Sequence, residues 1–285
     1  MATTVSPELT PFAREMRRRR ALRRMSQLEL ATLAGTTQRH LSFIESGRST
    51  PGRAMVVRLA ESLGLTLRER NSLLLSAGYA PLYAESARDA ESIGPAMEAL
   101  RSILTGHLPY PAVVAGPRGE LVLANAAFDV LTEGAAAHLL APPVNVLRLA
   151  LHPEGMGPRV VNLSAWGRHI TESLRARASA HPDPELEALA EELDGYLATA
   201  GPGDGSGAAE HLGFAVPLRL RTSAGELRLL TTLTSFSTAV DVTLAELHLE
   251  AFLPADAASA ELLRRREEAR VDARVDARAG AGPRH

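Results

Sequence analysis

Apolar residues recur at helical spacing between residues 12 and 78, in short stretches divided by glycines and capping residues. Phe12, Met16 and Leu22, set among arginines, predict a first helix over 12–23. Ser26 stands three positions before Glu29, a capping-box pattern that opens a helix over 27–33. Leu30, Ala31 and Leu33 give it an inner face, and Gly35 suits the left-handed turn beyond it. Thr36 or Thr37 caps a third helix over 38–46, with Leu41 and Ile44 inward and Gly47 as its stop. Thr50-Pro51 opens a fourth through Leu63, and Leu67–Ala77 makes a fifth that ends at Gly78.

Past residue 93 the pattern becomes mixed. A helix over 93–105 precedes a hairpin: Pro111–Ala115, the turn Gly116-Pro117-Arg118-Gly119, then Glu120–Ala124, with Asn125 placed to cap the next helix. Residues 144–200 read as mostly helical, broken near Pro153–Pro158 and Pro182–Pro184. After the glycine-rich stretch 201–207, Val216, Leu218 and Leu220 alternate with arginines as a half-buried strand. Further strands are expected over 226–236 and 245–253. The tail is charged, repeats Val-Asp-Ala-Arg at 271–274 and 275–278, and is expected to be disordered. The predicted organisation is multidomain: an all-α five-helix domain over 1–80, a connector over 81–92, an α+β domain with an antiparallel sheet over 93–255, and a tail over 256–285.

Charge adds a division that the hydrophobic pattern does not show. Residues 1–80 hold 13 Arg and 6 Glu, or +7; the rest holds 18 Arg and 27 acidic residues, or −9, for the total of −2. A basic module joined to an acidic one suggests that only the first meets a polyanion. Cysteine is absent, which excludes disulfides, thiol catalysis and cysteine-held zinc. No stretch approaches the ~20 apolar residues of a membrane span, and arginine runs on past Arg17–Arg20 where a signal peptide would turn apolar, so a cytoplasmic protein is expected.

Candidate chemistry is sparse elsewhere. The 201–207 loop lacks the lysine of a phosphate-binding loop, and no pair of the nine histidines has metal-site spacing such as HExxH. Ser164 and Ser206 lack a nucleophile elbow. An enzyme is not expected, and neither is a cofactor.

The run MSQLELATLAGTTQRHLSFIESGR, residues 25–48, resembles the helix-turn-helix of the lambda-repressor-like Xre family. That resemblance puts the start of the second helix of the pair in the major groove, where Gln38, Arg39, Ser42 and Phe43 meet base edges. Gln suits adenine and Arg guanine through paired hydrogen bonds, and Phe43 can meet a thymine methyl or simply pack. Gln27, Thr37 and Arg48 fall near phosphates in the family pattern. It further implies a homodimer on double-stranded DNA with an inverted-repeat operator.

The hairpin GPRGELVLANAAF (116–128) resembles a PAS-type sensor domain. Together with LRERNSLLLSAGYAP (67–81), VNVLRLALHPEG (144–155) and VVNLSAWGRHI (160–170), the layout resembles MmyB-like regulators. This implies a PAS-like domain that holds a small hydrophobic ligand, with a fatty acid as the suggested type. Leu123, Phe128, Leu147, Leu229 and Phe236 are the expected pocket wall. Arg148 is the expected carboxylate partner with Asn145 beside it, and Trp166 and His169 are secondary candidates. A dimerisation or protein-interaction module without a ligand is the alternative; its sign would be a collapsed core.

Overall fold

The computed structural model describes residues 9–199, 215–236 and 238–280. They form two compact units, one comprising residues up to Ala90 together with 237–245, the other made of the remainder.

The first unit holds α1 (Pro11–Leu22), α2 (Gln27–Leu33), α3 (Gln38–Glu45), α4 (Arg53–Ser62) and α5 (Leu67–Ser76). Thr10, Ser26, Thr37 and Thr66 each accept a backbone N–H at a helix start, and such caps contribute about 1 kcal/mol apiece. The core is built on Met16, Leu30, Leu41, Ile44, Leu59, Leu73 and Leu74. One expected inner residue faces outward, Leu33, which is 63% exposed; Leu22 at the end of the first helix is exposed as well. Ala13 and Ala34 are buried instead, because a 3.6-residue period from Met16 and from Leu30 selects those positions. Helix α4 starts at Arg53 with Gly52 as its cap, two residues later than Thr50-Pro51 suggested. The expected connector continues this unit through Ala90. Asn71 on α5 accepts the amides of Leu82 and Tyr83 at 3.0 and 3.1 Å and donates to the Tyr83 carbonyl at 2.8 Å, which seals the strap onto the bundle.

The second unit begins with α6 (Gly94–Gly106), β1 (Ala112–Ala115) and β2 (Leu121–Ala124). Four helices come after the short turn α7 (Asp129–Thr132): α8 (Ala137–Leu140), α9 (Val146–Leu151), α10 (Leu163–Ala180) and α11 (Pro184–Thr199). The chain continues through β3 (Leu218–Thr222), β4 (Gly225–Ser235), α12 (Val242–Ala245), β5 (His248–Pro254) and α13 (Ala257–Gly280). The five strands make one antiparallel sheet in the order β2-β1-β5-β4-β3, so β5 is central. It starts at His248, later than the pattern suggested, because Ala245 closes α12. The core gathers Leu151, Trp166, Leu174, Leu193, Leu218 and Leu229 between sheet and helices. The glycine-rich loop at 201–207 lies outside the described residues.

Two further expectations are corrected by the structure. Asn125 caps nothing with its side chain; it accepts the Ala112 amide and donates to the carbonyls of Leu104 and Tyr110, tying β1 to the end of α6. The tail is helical through Gly280. Alanine, arginine and glutamate are good helix formers, and Glu261 pairs with Arg264 and Arg265 at helical spacing. Leu263 is buried, and Arg266 and Arg270 both reach Asp129, so the helix is tied to the domain at its start.

Gly119 shows why the hairpin turn needs its glycine. Its φ is +83°, and a Cβ there would sit 2.7 Å from Leu147 Cγ. Gly119→Val is therefore expected to cost about 2–3 kcal/mol in denaturant unfolding; an unchanged midpoint would show that the turn tolerates a side chain.

Candidate nucleic-acid interface and ligand cavity

In the first unit, Gly35 at φ +63° makes the reversal from α2 into α3. Thr37 accepts the His40 amide at 3.1 Å and so fixes where α3 begins. That leaves Gln38 and Arg39 exposed on its first turn, with Ser42 and Phe43 half-buried one turn on and Arg48 exposed past its end. The Arg39 guanidinium lies 5.4 Å from the centre of the Phe43 ring, within cation–π range. Phe43 thus holds the guanidinium of its neighbour on the presented surface.

Beneath this surface sits a buried carboxylate that the pattern of hydrophobic positions did not reveal. Glu45 is fully buried and accepts both arms of Arg20, at 2.7 and 2.9 Å. The amide of Gln27 also donates to it at 2.7 Å, so α1, α2 and α3 meet at one charge. Gln27 therefore uses a donor inside the motif, beside its expected phosphate role. The Arg20 proton is held more tightly than in free arginine because Glu45 hydrogen-bonds it. Arg19 is likewise internal, bridging Glu15 and Glu69 at 2.7 Å each. Of the Arg17–Arg20 block, Arg17 and Arg18 are exposed, and Arg18 pairs with Glu15.

The second unit holds an open cavity of about 200 Å3. A single water needs only ~10–15 Å3 by a comparable measure, so this is room for a ligand rather than a packing defect. Its apolar walls come from Val113 of β1, Phe128 and Leu131, Val146, Leu147 and Leu149 of α9, Trp166, Ile170 and Leu174 of α10, and Phe252 of β5. Polar groups are few: His169, Ser173, Arg177, Thr231 and Glu250.

Of the expected pocket residues, Phe128, Leu147, Trp166 and His169 line this cavity. The structure places the others elsewhere. Asn145 caps α9, accepting the amides of Leu147 and Arg148 and donating to the Arg118 carbonyl. Arg148 turns to α11, where both its arms meet Glu192 at 2.8 Å; that hydrogen bond raises its pKa. Tyr196 also donates to Glu192, and burial together with this bond pushes its phenol to about 12. Leu123 is half-buried on β2, Leu229 lies in the core under the sheet, and Phe236 is half-buried just past β4. Period-two alternation explains part of this: Leu229, Thr231 and Leu233 share a face that Phe236 cannot share.

Arg177 is the residue that the sequence reading missed. It lies eleven positions after Trp166, on the same stripe of α10. Its guanidinium is half-buried and donates to the Pro117 carbonyl, the one hydrogen bond it makes among the described residues. Burial lowers its pKa, against the raising field of Glu250. Arg177 is also one of the residues that line the cavity.

His138, His152 and Glu154 bring one ligand-type atom each within 4.8 Å of one another. The His152 Nδ1 accepts the Glu154 amide at 3.0 Å, however, which leaves the neutral ring's proton on Nε2. A metal would have to break that arrangement.

Comparison with known families decides the identity. The description MmyB-like transcription regulator ligand binding domain matches residues 96–265, and Helix-turn-helix matches 16–70. The chain belongs to the MmyB-like transcription regulators. The first match covers the cavity and all five strands, and the second spans α2 and α3 with their flanking helices. This MmyB-like chain is therefore a DNA-binding transcription regulator with a ligand-binding domain. No curated protein matches it in sequence. Among the described residues no helix is long and apolar enough to cross a membrane.

Proposed function

We propose that this regulator is a non-catalytic homodimer that binds an inverted-repeat operator through α3 and responds to a fatty-acyl amphiphile held in the cavity. The half-sites of such an operator lie about one helical turn apart. The observation that carries the ligand reading is the open, mostly apolar cavity with Arg177 at its edge. A collapsed core, the mark of a pure interaction module, would leave no such space. Apolar walls supply affinity without directionality, and a few polar groups orient the guest. Arg177 is the anchor for the ligand's head, a role that Arg148 cannot take while both its arms hold Glu192.

Ligand binding matters to transcription only if the ligand prefers one DNA-binding state. The test is operator affinity of the delipidated protein with and without dodecanoate, at fixed salt. A change of about fivefold or more is expected, since coupling energies of this kind fall at about 1–3 kcal/mol. Equal affinities with dodecanoate bound would overturn the sensing role. For the anchor, Arg177→Met is expected to weaken dodecanoate about tenfold or more and to leave dodecan-1-ol nearly unaffected. Equal losses for both would make Arg177 a structural residue.

A further inference from the structure

Antiparallel strands are ordinarily joined by about 2–5 residues, yet β4 and β5 are joined by the 12 residues 236–247. The middle of that connection belongs to the DNA-binding unit, while both strands belong to the other. Asp241 is buried at its centre. One carboxylate oxygen accepts the Ser86 amide at 3.2 Å, and the other accepts the amides of Thr243 and Leu244 at 2.8 and 3.3 Å. Val242 is fully buried and its amide donates to the Ala84 carbonyl at 2.8 Å. The Thr243 hydroxyl donates to the Ser86 carbonyl at 2.7 Å. The bonds to Ser86 join residues 155 or more positions apart, and they fasten 241–243 to the strap that Asn71 holds on α5.

We infer that this clasp is the element that carries the state of the cavity to the helix-turn-helix. The inference rests on the ligand-sensing reading. Thr231 on β4 and Glu250 on β5 stand at the cavity wall. The ladder between the two strands is continuous from Leu229–Pro254 to Ser235–His248, so they are paired right up to the connection that holds the clasp. A shift of either strand at the cavity is delivered along the hydrogen-bonded ribbon to its end at Ser235 and His248, through the connecting chain to Asp241, and from there to α5. A merely structural loop would need neither this length nor a buried carboxylate whose two oxygens hold two different segments.

The experiment measures, on the full chain, dodecanoate affinity, operator affinity without dodecanoate, and operator affinity at saturating dodecanoate. It compares wild type with Asp241→Ala and with the milder Thr243→Val, which keeps the shape of the side chain and removes the donated bond. Hydrogen exchange at the Val242 amide reports that the clasp has opened. The expected result is that both variants bind dodecanoate and operator separately as wild type does, while the dodecanoate-induced change in operator affinity shrinks toward onefold. If the clasp opens and the wild-type change persists, the inference is overturned and the sensing reading stands. If wild type binds dodecanoate with no change in operator affinity, both are overturned.

Discussion

Arg39→Ala is expected to lower affinity for a selected operator about ten- to hundredfold, and to do so by erasing a preference at one base position in each half-site. A paired hydrogen bond from arginine to guanine is worth about 1–3 kcal/mol of discrimination. Arg39 sits exposed on the first turn of α3, with its guanidinium held 5.4 Å from the Phe43 ring. That contact reduces the freedom the side chain must give up on docking. Phe43→Ala should produce a smaller loss at the same position and the neighbouring one. Arg48, which falls near phosphate in the family pattern, is expected to behave differently: its removal should weaken all duplexes alike and flatten the salt dependence by roughly one phosphate. Fluorescence anisotropy at fixed salt, over operators mutated base by base, separates the two patterns. A uniform loss for Arg39→Ala would demote it to a phosphate contact.

Arg20→Met is expected to be among the most destabilising single changes in the first unit, at about 3–5 kcal/mol, because it leaves the Glu45 carboxylate buried without its cation. For a unit of this size that corresponds to a fall in Tm of more than about 10 °C. The double variant Arg20→Met, Glu45→Met should recover much of the loss, since two apolar side chains replace a desolvated pair. Calorimetry of the two proteins checks this. If the double variant is no better than the single one, the site is held by packing and not by its charge balance.

The helix-turn-helix was legible because its information is local. Caps at Ser26 and Thr37, the glycines at 35 and 47, and the apolar spacing of Leu30, Leu41 and Ile44 each act within one or two turns. What stayed hidden there was Arg20 with Glu45, because their partnership spans 25 positions and looks like surface charge in sequence. In the second unit the strands and hairpin were readable from alternation, and the helical character of 144–200 from composition. The cavity was readable only in part. Trp166 and His169 were found from their neighbourhood, but extending the stripe of Trp166 by three turns would have reached Arg177. Arg148 drew attention by its place in a motif, and only the fold shows Glu192 beside it. The part of the clasp that joins 241–243 to 84–86 had no local sign, since those partners are so distant in sequence.

Native mass spectrometry of the intact protein, with denaturation of the same sample afterwards, asks most simply whether the second domain holds a ligand. The expected result is a homodimer that carries up to one amphiphile of a few hundred daltons per chain, released on denaturation and restored by adding dodecanoate to the stripped protein. A dimer that stays at its bare mass through exposure to dodecanoate and longer saturated acids would overturn the ligand-sensing reading, and would leave the second domain as a protein-interaction module.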